Sequence, residues 1–303
     1  MSIYREEQRK KAIELRDEIF KDPGDGMFRG KKRDFVLNDP ILNLWAGIRD
    51  DAVEYFKKND IPWWYGAEEE PTGHLLSSQV SCLNHLYFLR HRIDLSTAVL
   101  KNIDNRIKKP IIIDNGFVEF EVIGKKNYLN EKSHTRGANS TSVDAVMVGE
   151  KEDGKNILVL IEWKYTESYD TENKYKPERY NNYNPLLEEQ NCPIRTDDFE
   201  SLYFEPFYQL MRQTLLGWKM VEANEYNCDE YIHLHIIPTK NRDLKQKITS
   251  PKMTGSDMSD AWKKVLADKN KYKVFSPEEL FNSLEQENDA QSLLKYLNLR
   301  YWN

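Results

Sequence analysis

The sequence predicts an α/β fold in which a mixed central sheet is flanked by helices, and three observations carry that expectation. The run NILVLIEWK, residues 156–164, sets Ile157, Leu158, Val159, Leu160 and Ile161 in succession. That is the length and composition of a strand covered on both faces, and so central in its sheet. The run SVDAVMVG, residues 142–149, precedes it across the turn EKEDGKN, which makes the two a hairpin. Segments with apolar residues at helical spacing, HLLSSQVSCLNHLYFLRH from His74 and PFYQLMRQTLLGWKMVEA from Pro206, stand on either side in the chain.

The remaining elements follow in order. Residues 3–20 read as an amphipathic helix closed by KDPGDG, and residues 40–58 as a second helix carrying Ile41, Leu44, Trp45, Ile48 and Phe56. The acidic run at 68–70 before Pro71 is expected to be a solvated loop. The helix expected over 74–91 is apolar on most sides and therefore mostly buried, so its amides Gln79 and Asn84 need partners, either in helix packing or in a polar site. A helical piece at 95–106 ends in the basic residues Arg106, Lys108 and Lys109, and GFVEFEVI, 116–123, alternates as a strand should. Residues 167–204 are rich in Tyr, Asn and charge and read as a long excursion, its tyrosines beside Lys174, Lys176 and Arg179 being either nucleic-acid contacts or ordinary surface residues. Residues 230–238 form a further strand; beyond it come a helix at 256–267, a short strand leading to a helix with Ser276, Pro277 and Glu279 as a capping box, and a last helix at 290–299. The domain organisation expected is an N-terminal helical extension, 1–70, a core, 71–240, with the insertion 167–204, and a C-terminal helical extension packed on it, 241–303.

Composition bounds the function. With 303 residues, 39% of them hydrophobic, the chain can bury one large core or two modest ones. Its 44 basic against 50 acidic residues give a net charge of −6, which argues against attachment to nucleic acid by bulk charge and leaves room for a local basic groove. Cys82, Cys192 and Cys228 are too few and too scattered for a disulfide framework, and a reducing cytoplasm is the natural setting. The N-terminus is charged throughout and no apolar run nears the roughly 20 residues of a membrane span, so a soluble protein with no membrane partner is expected.

Chemistry concentrates at one place. Glu162 and Lys164 are two apart on the central strand, share a face, and cannot both be buried without a partner or a purpose. The hairpin brings Asp144 to the same end. Two carboxylates supply hard oxygen ligands for Mg²⁺ (or Mn²⁺), and an ammonium beside them can hold water and balance charge at a phosphate. The structural alternative is a strand end frayed into solvent. Glu121, or Glu119, can add a ligand if it faces the site, although such residues more often face water. His233 and His235 share a strand face near Cys228 and suggest zinc, but no fourth ligand stands at recognisable spacing. His74 reads as a cap or an exposed residue in preference to a site residue.

The order helix, strand, strand, strand, helix, strand over residues 71–238 resembles the PD-(D/E)xK nuclease superfamily, the restriction-endonuclease-like αβββαβ fold. HLLSSQVSCLN, VDAVMVG and LVLIEWKY look most similar to a bacterial family of uncharacterised restriction-endonuclease-like proteins in it. The resemblance implies that Asp144 and Glu162 bind divalent metal, with the Trp163 main-chain carbonyl, and that Lys164 serves the nucleophilic water. It implies a role near the site for Gln209 or Gln213 of the following helix. Val143 stands where the name-giving pattern has proline, and the first core helix lacks an acidic ligand, which leaves Gln79 as its stand-in. The expected function is a metal-dependent nuclease acting on DNA, with RNA and a homodimer left open. The alternatives are a catalytically silent nuclease-fold module that binds nucleic acid or protein, and a sugar or nucleotide hydrolase.

Overall fold

The structure, a computed structural model, describes residues 2–67, 69–137 and 140–302; Glu68 of the acidic run lies outside the described residues. The strands are β1 (Gly26–Phe28), β2 (Lys31–Arg33), β3 (Ile107–Pro110), β4 (Glu119–Val122), β5 (Val143–Lys151), β6 (Asn156–Trp163), β7 (Glu230–Ile236) and β8 (Tyr272–Phe275). The helices are α1 (Ile3–Leu15), α2 (Arg49–Lys58), α3 (Ser78–Leu86), α4 (Ile93–Ile103), α5 (Pro177–Leu187), α6 (Phe207–Glu222), α7 (Arg242–Gln246), α8 (Met258–Lys264), α9 (Pro277–Phe281) and α10 (Gln291–Leu297).

The main sheet has the order β3-β5-β6-β7-β8, with β4 also paired to β5. It is mixed: β5 is antiparallel to β3, β4 and β6, whereas β6, β7 and β8 run parallel. As its composition requires, β6 is buried on both faces. Ile157, Val159, Ile161 and Trp163 enter a core shared with α3, α4, α9 and α10. Leu158 and Leu160 enter a second core under α6 and α8. Gly217 lets α6 approach closely, since a Cβ there would stand 2.5 Å from Leu160 Cδ1. This approach brings α6 over the end of β6.

Several expected elements differ. The helix expected over 40–58 is a 3₁₀ turn, Pro40–Asn43, and a separate α2. The buried Asn43 amide donates to the carbonyls of Thr72 and His74, and this tertiary demand breaks the helical path. The helix expected from His74 starts at Ser78, because Ser77 Oγ caps Val80 N–H (3.3 Å) and His74 bridges Val36. Residues 167–204 are not structureless: they hold α5, opened by Pro177, and bury Tyr183 and Tyr203. Two strand features escaped the hydrophobic pattern. β3 is an edge strand bearing Lys108, Lys109 and Pro110, the residues that edges favour; β1 and β2 form a small basic hairpin. The capping box at Ser276 and Glu279 is present, and the strand before it, β8, joins the sheet beside β7. Among the described residues no helix is long and apolar enough to cross a membrane.

Candidate metal centre

The hairpin register builds the site. β5 and β6 pair Ala145 with Ile161, and the next position outward sets Asp144 beside Glu162 on the face covered by α6. There the ladder gives way to a side chain: Trp163 N–H donates to Asp144 Oδ2 at 2.6 Å. Because N–H and C=O of one strand residue point the same way, the Trp163 carbonyl also faces the Asp144 side. The Trp163 ring turns to the opposite face, where Nε1 donates to Ser81 Oγ (3.1 Å). Lys164 returns to the face of Glu162, and its Nζ lies 2.5 Å from Glu162 Oε1.

Burial makes this pairing demanding. Glu162 and Lys164 are 3% and 5% exposed, and buried charges need hydrogen bonds beyond their mutual attraction. Helix α6 supplies them. Lys164 Nζ donates to Gln209 Oε1 (2.6 Å). One turn on, Gln213 Nε2 donates to Glu162 Oε2 and to the Ser142 carbonyl. Ser142 Oγ in turn donates to Glu121 Oε2 (3.3 Å), and Gln79 Nε2 to Glu121 Oε1 (2.8 Å). Glu121 has a φ of 50°, a left-handed conformation rare for a glutamate inside a strand. Glu119 instead accepts from Tyr226 Oη (2.8 Å).

Electrostatics follow from the crowding. Burial, then Glu162 and Glu121, hold the Asp144 carboxyl well above the usual range; Lys164 and the Trp163 N–H oppose this without prevailing. Glu121 is raised by burial and by Glu162, against the bonds from Gln79 and Ser142. Burial works against charge on Lys164, yet Glu162, Tyr169, Glu167 and Asp144 outweigh it, so the ammonium is held well above its usual value and stays protonated.

The structure thus ties Glu162, Lys164, Gln209 and Gln213 into one hydrogen-bonded cluster, holds Asp144 beside it through the Trp163 N–H, and sets Glu121 and Gln79 at its border. Asn84 serves packing, donating to the Asn43 carbonyl and Tyr301 Oη. His74 is neither exposed nor a site residue: it is buried against Phe28 and Phe35, and its Nδ1 accepts from Leu76 N–H. Ser142, which links Glu121 to Gln213, escaped sequence reasoning. Its place two residues before Asp144, hence on the same strand face, was the available signal.

Among the described residues no three His, Cys, Asp or Glu side chains form a ready metal cluster, so any ion here needs main-chain and water oxygens as well. The residues fit such an ion on two observations. Among the described residues Gln213 Oε1, buried beside Glu162, finds no hydrogen-bond partner, an acceptor in want of a donor such as a bound water. Asp144, Glu162 and the Trp163 carbonyl are hard oxygen donors whose excess negative charge a divalent cation relieves.

The family described as Restriction Endonuclease associating with ARP matches residues 13–302. The chain belongs to it. No curated protein and no solved structure matches the chain. Membership in this restriction-endonuclease family agrees with the mixed sheet, flanking helices and element order described above, and the match runs from the last turn of α1 through α10.

Proposed function

We propose that this chain is a metal-dependent nuclease that hydrolyses phosphodiester bonds, with DNA as its substrate. One observation carries the reading: Asp144, Glu162 and Lys164 converge at one end of the central sheet, with α6 glutamines fixing two of the three. The family description, which names a restriction endonuclease, supports it.

Asp144, Glu162 and the Trp163 carbonyl would hold Mg²⁺ or Mn²⁺. Such an ion, when bound, supplies Lewis-acid stabilisation of charge on the phosphate and the leaving oxygen. Lys164 keeps its proton, so its part is to orient the attacking water through an N–H donor and to offset charge at the phosphate. Gln209 and Glu162 fix the Nζ that does this. Gln213 fixes the Glu162 carboxylate from the other side. Glu121, held by Gln79 and Ser142, borders the cluster and acts on it electrostatically by raising the Asp144 carboxyl.

The test is cleavage of DNA and of RNA by wild type, Asp144→Ala and Lys164→Ala with Mg²⁺ or Mn²⁺. Each substitution is expected to reduce the rate by at least about a hundredfold. Equal activity in all three proteins refutes the assignment, and cleavage of RNA alone moves the substrate. A silent binding module is favoured by one feature: both Glu162 oxygens are already engaged, by Lys164 and by Gln213. Calorimetric titration with Mg²⁺ separates the readings, because a module with no catalytic use for the ion shows no uptake that depends on Asp144.

A further inference from the structure

Residues 26–33 form a free-standing hairpin whose role the candidate metal centre does not explain. β1 and β2 pair Phe28 with Lys31 across the two-residue loop Arg29–Gly30. The loop φ values, 50° and 72°, are both positive, as in the type I′ turn that suits the twist of a short hairpin. The ribbon is tied down by Gly26 N–H donating to the Val36 carbonyl (2.9 Å). It exposes Arg29, Lys31, Lys32 and Arg33. Among the described residues none of these four makes an ion pair with a carboxylate. A chain of net charge −6 thus carries a local, uncompensated cluster of cations.

Aromatic rings lie beside that cluster. Trp64 and Tyr65 are 44% and 52% exposed. Phe28 supports both, with ring centroids 6.0 and 5.1 Å away. His74, which burial keeps neutral by lowering its pKa to about 4, packs under Phe28 and Trp64 at 4.6 and 5.8 Å. The Arg29 guanidinium sits 4.8 Å from the Tyr65 centroid and donates to Tyr65 Oη (2.6 Å). One side chain joins this platform to the candidate centre: Gln79 Oε1 accepts from Trp64 N–H (2.9 Å) while its Nε2 donates to Glu121 (2.8 Å).

We propose that the β1–β2 hairpin and the Trp64–Tyr65 platform bind an unpaired stretch of nucleic acid next to the scissile phosphate. The four cations take backbone phosphates and the two rings stack bases. Cations with no carboxylate partner among the described residues gain most from phosphates, and release of counterions supplies the driving force. Exposed aromatic faces stack any base but need it out of its duplex. The platform therefore selects single strands, overhangs or frayed ends over blunt duplex. The inference rests on the nuclease reading only for its substrate class, a nucleic acid.

The test is fluorescence anisotropy of the full chain in EDTA with a labelled single-stranded oligonucleotide, a blunt duplex of the same sequence, and that duplex with an overhang. The single strand and the overhang are expected to bind more tightly than the blunt duplex. Trp64→Ala and Tyr65→Ala each weaken binding of the unpaired substrates by about tenfold, and Trp64→Phe restores most of the loss. Lys31→Glu with Lys32→Glu lowers the slope of log affinity against log salt by about 0.7 for each single-strand phosphate that the variant no longer neutralises. All of these side chains are exposed or lie at the tip of the ribbon, and thermal melts of the variants verify that the fold is kept. Equal binding of blunt and overhanging DNA, or no effect of Trp64→Ala, overturns the proposal. If the hairpin variants bind and cleave as wild type while Asp144→Ala is inert, this inference falls and the nuclease reading stands. If binding depends on Trp64 while Asp144→Ala cleaves as wild type, the reverse holds.

Discussion

Two neighbouring groups of polar side chains on the α6 face of the sheet answer burial in opposite ways. His235 is in register with Glu162, and His233 with Leu160; all four lie at 3% exposure or less. The histidines have given up their charge. Burial lowers His233 to about 3 and holds His235 well below its usual value, and their Nδ1 atoms are bonded to Thr214 Oγ1 (3.1 Å) and Tyr272 Oη (2.9 Å). Among the described residues they gather no third ligand for a metal. Glu162 and Lys164, at nearly the same depth, remain an ion pair, and Asp144 is left with a carboxyl that its neighbours resist ionising. Depth in the sheet therefore does not single out a candidate site; charge that burial has not extinguished does.

The largest expected effect that tests this contrast is at Glu162. Glu162→Ala strands the Lys164 ammonium in the interior with Gln209 as its remaining close partner, and breaking a buried pair in this way costs about 3–5 kcal/mol. Urea unfolding measures it. A loss below about 1 kcal/mol, the value of an exposed pair, means that Lys164 escapes to water and the contrast fails. His233→Leu is the matched substitution in the other group. It removes the bond to Thr214 from a neutral residue and is expected to cost about 1–2 kcal/mol, with cleavage as in wild type.

The two groups also carry opposite pH signatures. His74, His85, His233 and His235 are all lowered by burial, the first to about 4 and His85 and His233 to about 3. A histidine neutral in the fold contributes stability that is complete above its unfolded pKa of roughly 6.5. That contribution is lost as pH falls from there toward the folded values, because the unfolded chain takes up the proton first. Unfolding measured from pH 7 to pH 5 should therefore show falling stability, with a shallower slope in His233→Leu. An unchanged slope in that variant means His233 is not held neutral.

How much of this was legible in the sequence follows from the same physics. The centre was legible because it depends on local rules: period two puts Glu162 and Lys164 on one face, and a short turn fixes the register that brings in Asp144. Gln213 and Gln209 could be placed near it only through the family resemblance, since their contacts depend on how closely α6 settles over Gly217. The left-handed Glu121 breaks the alternation that its segment displays, so its position beside Ser142 was not predictable from period two. The β1–β2 hairpin and β3 stayed invisible for a different reason. Strands that bury little have no apolar alternation to show, and MFRGKKR and IKKP read as charge. In both cases the missed element is polar because it lies at an edge or on the surface, where recognition of a charged partner is possible and packing is slight.

The smallest predicted effect separates the two groups most sharply, because its sign differs from that of an ordinary active-site deletion. The folded chain holds a proton on Asp144 at pH values where the unfolded chain, with a pKa of roughly 3.9, has lost it. Stability of the metal-free protein from this group therefore declines as pH rises from about 4 through the raised value, and the penalty is complete above it. Asparagine cannot ionise, its oxygen can still accept the Trp163 N–H, and its amide presents donors to Glu162 and Glu121. Asp144→Asn should thus be more stable than wild type at neutral pH without metal, by about 1 kcal/mol. In a chain of this size that is roughly 1–2 °C in Tm. Excess Mg²⁺ should narrow or reverse the difference, since only wild type gains from binding it. A metal-free Asp144→Asn that melts below wild type would mean that the Asp144 carboxylate is a satisfied structural acid, settled in its surroundings as the histidines are in theirs.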